Sequence, residues 1–200
     1  MKHIEKALLL AFILTVLFSF TGFAAGCEDI PNHVLRLHVL ANSDSKEDQA
    51  LKLKVRDRIL AESSRMMDNV TNKTEAQNAV RAALPKLKIA AENEIKKQGY
   101  HYDVDVKMEK VYFTTREYNT VTLPAGEYDS LRVTIGKAAG HNWWCVIFPP
   151  MCLPAAEEPK ELGDVLNENQ LHIVEGKGDF EVSFKTVELY EQFRNYIEHK

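Results

Sequence analysis

Sequence motifs for the common chemistries are missing from this chain. No Gly-x-Ser-x-Gly elbow, phosphate loop or dinucleotide fingerprint occurs, so the usual hydrolase and nucleotide-binding signatures are excluded. The histidines His3, His33, His38, His101, His141, His172 and His199 are scattered, and none forms a His-Glu-x-x-His pair. There are only three cysteines, Cys27, Cys145 and Cys152, and Cys145 to Cys152 is wider than a usual zinc pair. No cofactor and no metal is therefore expected. Basic charge is not in excess: the 200 residues carry a net charge of −4, so bulk charge argues against a nucleic-acid partner. There is no internal repeat, and the one long apolar run lies at the N-terminus.

That run has an order of its own. Lys2 and Lys6 form a short basic region with Glu5 between them. An apolar stretch from Ala7 to Leu17 follows, broken by Thr15, and reaches Phe20 past Ser19. Ala24, Ala25 and Gly26 close it. Basic, apolar, small is the order of an export leader, and the run is shorter than the roughly 20 apolar residues of a spanning helix. The reading is export with cleavage over residues 1–26, with retention as an uncleaved anchor the alternative. Cys27 stands directly after the small residues, so its sulfur is a candidate for lipid attachment and membrane anchoring, although Ala24 occupies the place where a large aliphatic residue is usual. Removal of the leader leaves residues 27–200, enough for one domain with an ordinary core.

The rest reads as α+β: two helices packed on a mostly antiparallel sheet, with a C-terminal extension. His33–Ala41 has the composition of a strand, with Arg36 and His38 interleaved among apolar residues. Asp44 with Glu47, or Ser45 with Asp48, resembles a capping box opening a helix that runs to Met67; these acids suit a helix start better than a metal site. Leu51, Val55, Ile59 and Met66 line one face, and Leu53, Leu60 and Met67 the other. A second helix starts at Asn72 with Glu75 as its partner and ends at Gly99. Ala76, Val80, Ala83, Leu84, Leu87, Ala91 and Ile95 form its stripe, and Pro85 falls on the solvent side, where it kinks the helix. Strands follow at Tyr102–Glu109, with a change of phase near Lys110, and after Gly126. Trp143 to Phe148, apolar on both faces, reads as a central strand. Ala155–Lys160 looks like a linker, Leu171–Phe184 a hairpin around Gly176-Lys177-Gly178, and Val187–Ile197 a last helix.

One pairing has the look of an enzyme. Cys145 with His141 is the arrangement of a thiol hydrolase, in which a base generates the thiolate. Four residues along a strand separate them by about 13 Å, which is too far unless the chain folds back. An oxidising exterior also suits a Cys145–Cys152 disulfide across a turn at Pro149-Pro150; two buried thiols are the alternative.

Two stretches are more specific. One is Leu35-Arg36-Leu37-His38-Val39-Leu40-Ala41-Asn42-Ser43-Asp44-Ser45, continuing through Glu47-Asp48-Gln49-Ala50-Leu51-Lys52 to Val55-Arg56-Asp57. The other is Pro124-Ala125-Gly126-Glu127-Tyr128, Leu131-Arg132-Val133, Ile135-Gly136 and Gly140-His141-Asn142-Trp143-Trp144-Cys145-Val146-Ile147-Phe148-Pro149-Pro150-Met151-Cys152. In this order and behind a leader, they closely resemble the stage II sporulation protein R family of endospore-forming bacteria. The resemblance implies a non-enzymatic signal, made in the forespore and secreted into the space between forespore and mother cell. There it triggers a membrane-embedded aspartic protease of the mother cell, which cleaves the sigma E precursor. The resemblance covers about Val34 to Leu153 and not the tail, and the chain is read as a signalling domain over residues 27–153 with 154–200 as a C-terminal extension. The segment His141, Asn142, Trp143 and Trp144 is the candidate contact surface, held by the Cys145–Cys152 link; the alternative is that the whole segment is core. A thiol hydrolase and a passive envelope lipoprotein held by Cys27 are the alternatives.

The leader reading makes a direct prediction. Replacing Leu14 and Leu17 with Arg costs about 2.5–3.5 kcal/mol per residue on insertion scales. The doubly substituted protein is expected to stay inside the cell when fractions are blotted, and unchanged export would sink the reading.

Overall fold

The computed structural model describes residues 2–67, 69–118, 121–151, 163, 165–176 and 181–198. Its elements are α1 (Lys2–Asp29), a 3-10 turn (Ile30–Asn32), β1 (Leu35–Leu40), α2 (Lys46–Met67), α3 (Lys73–Lys97), β2 (Val104–Phe113), β3 (Arg116–Tyr118), β4 (Val121–Leu123), β5 (Gly126–Ile135), β6 (Asn142–Phe148), α4 (Glu168–Glu175) and α5 (Glu181–Glu198). The α+β class read from the sequence is what forms. The chain divides into two compact units. One holds Asn32–Val111 and Glu127–Val165; the other holds Met1–Pro31, Tyr112–Gly126 and Leu166–Lys200.

The first unit is built on a four-stranded sheet of order β2-β5-β1-β6. β1 runs parallel to β5, with Leu37 opposite Leu131 and Val39 opposite Val133. It runs antiparallel to β6, with Leu37 opposite Cys145 and His38 opposite Trp144. Asp103 meets Gly136 through a 2.9 Å hydrogen bond, while Glu109 further along meets Arg132, so β2 and β5 run in opposite directions. Two of the three pairings are thus antiparallel.

Side chains alternate across such a sheet, which fixes where the core lies. Leu35, Leu37 and Val39 face the helices, together with Leu131, Val133 and Ile135 of β5, Val104 and Val106 of β2, and Cys145 and Ile147 of β6. Leu51, Val55 and Ile59 of α2 and Val80, Leu87 and Ile95 of α3 close over them. Each of these large side chains is buried, and each such burial contributes about 1.5–3 kcal/mol. Leu60 and Met67, on the other side of α2, are buried as well, as two apolar sides require.

Local signals set the helix ends. The Ser45 hydroxyl accepts the Asp48 N–H at 3.1 Å, so Ser45 opens α2. Asn72 caps α3 by accepting the Glu75 N–H at 3.0 Å, while the Glu75 carboxylate reaches back to Thr71 N at 2.9 Å. Pro85 lies exposed, and α3 continues through it. Gly99, at φ +82°, closes α3 with a Schellman pair: Gly99 N to Lys96 O and Tyr100 N to Ile95 O. Glu62, nearly buried, ties the two helices by accepting from Lys86 Nζ at 2.9 Å and also pairs with Arg58 at 2.8 Å. These bonds, that from Lys86 first, hold its carboxyl below its ordinary range.

The order of the sheet corrects one expectation. β6 is an edge strand, and the strand buried along its whole length is β1. The run Cys145–Phe148 is buried, but Asn142 is exposed and both tryptophans are half-buried. Apolar character on both faces reflects cover above and below a strand and carries no information about its neighbours in the sheet. β1 in turn hides two polar residues. The Arg36 guanidinium lies 4.7 Å over the Tyr128 ring, and His38 stacks on Trp144 at 4.0 Å with planes 7° apart.

In the second unit, α1 packs with α4 and α5, and β3 and β4 pair antiparallel as a small hairpin. The hairpin expected over Leu171–Phe184 is replaced by α4 and the start of α5. Asn167 and Gln170 form a reciprocal capping box that starts α4, and this local signal outweighs the glycine turn. The last helix is present and begins earlier than expected, at Glu181. Ala155–Lys160, Lys177, Gly178 and Cys152 lie outside the described residues. Among the described residues, no helix is long and apolar enough to cross a membrane.

Candidate functional site

Two loops meet at one end of the sheet: Ala41–Ser45, between β1 and α2, and Gly136–His141, between β5 and β6. Both belong to the unit that carries the sheet. Asn42 joins them with its whole amide. Its Oδ1 accepts the Lys137 N–H at 3.0 Å, and its Nδ2 donates to Asp48 Oδ2 at 2.8 Å. Its main-chain carbonyl accepts the Ala139 N–H at 3.2 Å, and the Ala41 carbonyl accepts that of Gly140 at 3.0 Å.

Two glycines make this approach feasible. Gly136 adopts φ +57°, and a Cβ there would lie 2.3 Å from Asn42 Oδ1. A Cβ on Gly140 would lie 2.2 Å from the Ser43 carbonyl oxygen. A displaced main-chain carbonyl cannot be accommodated by turning a side chain, so glycine is required at 140.

The first turns of α2 then fix His141. Asp44 Oδ1 accepts the His141 N–H at 2.6 Å and also contacts the ring Nδ1. Lys52 Nζ donates to the His141 carbonyl at 3.0 Å and to Gln49 Oε1 at 2.6 Å, while Gln49 Nε2 donates to Ser43 O at 2.9 Å. Hydrogen bonding from the His141 ring, and then from its N–H, holds the Asp44 carboxyl below its usual range. For Asp48, burial opposes the charge, and hydrogen bonds from Ser43 and Asn42 outweigh it. Burial lowers the Lys52 ammonium. Asp44 and Asp48, at the start of α2, are thus engaged in holding loops.

β6 leaves this clamp with its two faces differently covered. Trp143, opposite Val39, packs on the core side, with the Arg56 guanidinium 4.2 Å over its ring. Trp144 turns to the other face and stacks on His38. His141 and Asn142 are exposed, and the four candidate contact residues are consecutive along one edge. Cys145 is buried among the core side chains, four residues down the strand from His141, whose ring nitrogen is turned to Asp44. The structure does not bring Cys145 and His141 together. Cys27 lies in the other unit, buried in α1, where burial, reinforced by Glu191 and Glu28, pushes its thiol up to about 12.

Apart from Lys137 and Ala139, which contribute main-chain N–H groups, the residues that build the clamp belong to the two specific stretches. The family model for stage II sporulation protein R matches residues 31–158. The chain belongs to the stage II sporulation protein R family. A protein of Bacillus subtilis (strain 168) named stage II sporulation protein R is 40% identical over 123 residues, covering 62% of this chain and 55% of the relative. The similarity thus spans about half of that relative's length. No solved structure matches. The matched region of this family member runs from before β1 past the end of β6, so the clamp and its edge fall inside it and α4 and α5 outside it. Asn42, Gly136, Gly140, Gln49 and Lys52 were not singled out by their chemistry in the sequence. The glycines that bracket a four-residue step before His141 are the signal that points to them.

Two predictions follow from this geometry. Gly140→Ala should lower stability by about 2–4 kcal/mol, a value typical of strained backbone clashes, and Asn42→Ala by about 1–3 kcal/mol for buried partners left unpaired. Urea unfolding midpoints measure both. The second prediction concerns His38, whose pKa burial pushes down to about 4, against a hydrogen bond to Asn142 that raises it. Between an unfolded value of about 6.5 and the folded value, the unfolded chain binds the proton and the folded one does not, so stability falls as pH drops through that window. The full loss is about 3 kcal/mol, and His38→Gln should remove this slope from a pH series of urea midpoints.

Proposed function

We propose that this protein is an exported sporulation signal that acts between forespore and mother cell by contacting a membrane-embedded aspartic protease of the mother cell. Activation of that protease leads to cleavage of the sigma E precursor. Membership of the family supports the sporulation role, and the N-terminal order of basic, apolar and small residues supports export. The observation that carries the contact surface is the clamp. His141 is held through its N–H, its ring and its carbonyl by Asp44 and Lys52, so the edge His141–Trp144 is presented in one fixed conformation. A surface fixed beforehand loses less entropy on binding.

The same reading gives Cys145 a structural role, linked to Cys152 across Pro149-Pro150. β6 ends at Phe148, directly before those prolines, as their missing N–H requires. A link of this size stabilises by about 2–3 kcal/mol in the chain-entropy model. Cleavage by a membrane protease is attributed to the partner, and no residue here is assigned a catalytic role.

Reconstitution tests the proposal. The secreted protein, with its cysteine linkage checked by mass mapping without reduction, is added to membranes holding the protease and the sigma precursor. Precursor cleavage is expected with the unaltered protein. Trp144→Ala removes a half-buried ring, so it should cost less than the roughly 3–5 kcal/mol of a fully buried one and remain folded, yet lower the cleavage rate at least about tenfold. His141→Ala should act in the same direction. Normal cleavage with every folded variant of this edge would place the contact surface elsewhere.

A further inference from the structure

We infer that the second unit locks its own processing site: the last two turns of α1 dock onto α4 and α5, so the leader can be cut only before these helices fold. The inference rests on the leader reading above. The small residues at which a leader is cut, Ala24, Ala25 and Gly26, lie inside α1, which remains helical to Asp29. They are held there by contacts on both sides. Phe23 meets Phe184 of α5 edge to face, with ring centres 5.2 Å apart. A Cβ on Gly26 would lie 2.5 Å from Ile173 Cδ1, so α1 and α4 approach as closely as glycine permits. Cys27 and Ile30 are buried.

Polar contacts fix the register. Gln170 Nε2 donates to Asp29 Oδ2 at 2.7 Å, and Gln170 is itself held by the capping box that opens α4. Arg194 of α5 pairs with Glu28 at 3.7 Å. The groove therefore reads an apolar helix with an aromatic residue, a small residue and two acids in that order, and this chain supplies such a segment itself.

A protease takes its substrate as an extended strand, so hydrolysis of a bond inside this helix requires local opening first. Here opening breaks packing on α4 and α5 together. Those helices lie at the far end of the chain, so during export the leader emerges long before its cover exists. A chain cut in that interval is released. A chain that folds first keeps an uncut leader, with Ile4, Leu8, Leu9, Leu10 and Phe12 still exposed on α1. Modification of the Cys27 thiol is subject to the same order, since in the folded unit it is buried. Released and leader-bearing forms are thus alternative products of one chain, separated by whether cutting or folding comes first.

The test uses the purified full chain, leader intact, in detergent micelles with a bacterial signal peptidase, and mass spectrometry to follow the cut. The folded chain should be cut at least about tenfold more slowly than the same chain just diluted from urea, since cleavage then follows the open fraction. Phe184→Ala leaves the cut sequence untouched and should restore fast cutting. Phe23→Ala should do the same, and the pair together should add little, because both remove one contact. Rates on short peptides spanning residues 15–35, with and without Phe23, correct for changes in recognition. Amide exchange of β1 and β5 confirms that the other unit stays folded. Equal cutting of folded and diluted chains, or no effect of Phe184→Ala, overturns the lock and leaves the leader reading standing. Failure to cut the diluted chain overturns both.

Discussion

Asn42 uses both ends of its side-chain amide and its own carbonyl to hold one loop against another, and the presented end of the sheet depends on it. Lys137, Ala139 and Asp48 are its partners, and through Asp48 the tie passes to Ser43 and to the first turn of α2. β1 and β6 lie side by side in the sheet, yet about a hundred residues separate them in the chain. The register between them is fixed where Asn42 pins the β5–β6 loop. That anchor adds to the bonds from Asp44 and Lys52 that hold His141 directly. A polar residue at a loop start thus does work that the apolar core cannot do, because burial is non-directional and a hydrogen bond is not.

How much of this was legible depends on the range of the interactions. α2 and α3 are written in local periodicity, and the Asn72 and Gly99 ends of α3 are local too. β5 shows as Leu131, Val133 and Ile135 alternating with Arg132 and Thr134. Arg36 and His38 look like the outward side of a half-exposed strand, and they are buried instead because Tyr128 and Trp144 arrive from distant positions to cover them. The rank of β6 within the sheet cannot be read from its own residues. In the tail, Gly176-Lys177-Gly178 suggests a turn between strands, while the spacing of Asn167 and Gln170 was the stronger sign and points to a helix. The four candidate contact residues were legible as a segment. The clamp that gives them a fixed conformation was not, since each of its bonds joins residues that no short window contains.

The two tryptophans show how adjacent identical residues acquire different duties. Strand alternation alone sends Trp143 to the helices and Trp144 away from them. Trp143 is covered by Arg56, whose guanidinium also contacts Asp57, so its ring is tied to α2. Trp144 rests on a histidine that burial keeps neutral, a flat stack without a charge of its own. The first position therefore answers to the packing of α2, and the second to the cover of His38 on the opposite face.

The parallel pairing of β1 with β5 has a kinetic side. β1 is complete at Leu40, but neither of its neighbours exists until residues 126–148 have been made available. Sheets closed by such distant segments have high contact order and form slowly. The α2–α3 pair and the β3–β4 hairpin are local enough to assemble early. In the export proposed above, a chain passing N-terminus first through a narrow membrane channel offers no finished sheet to jam it until most of its length is across. The order of its strands keeps it threadable for as long as threading lasts.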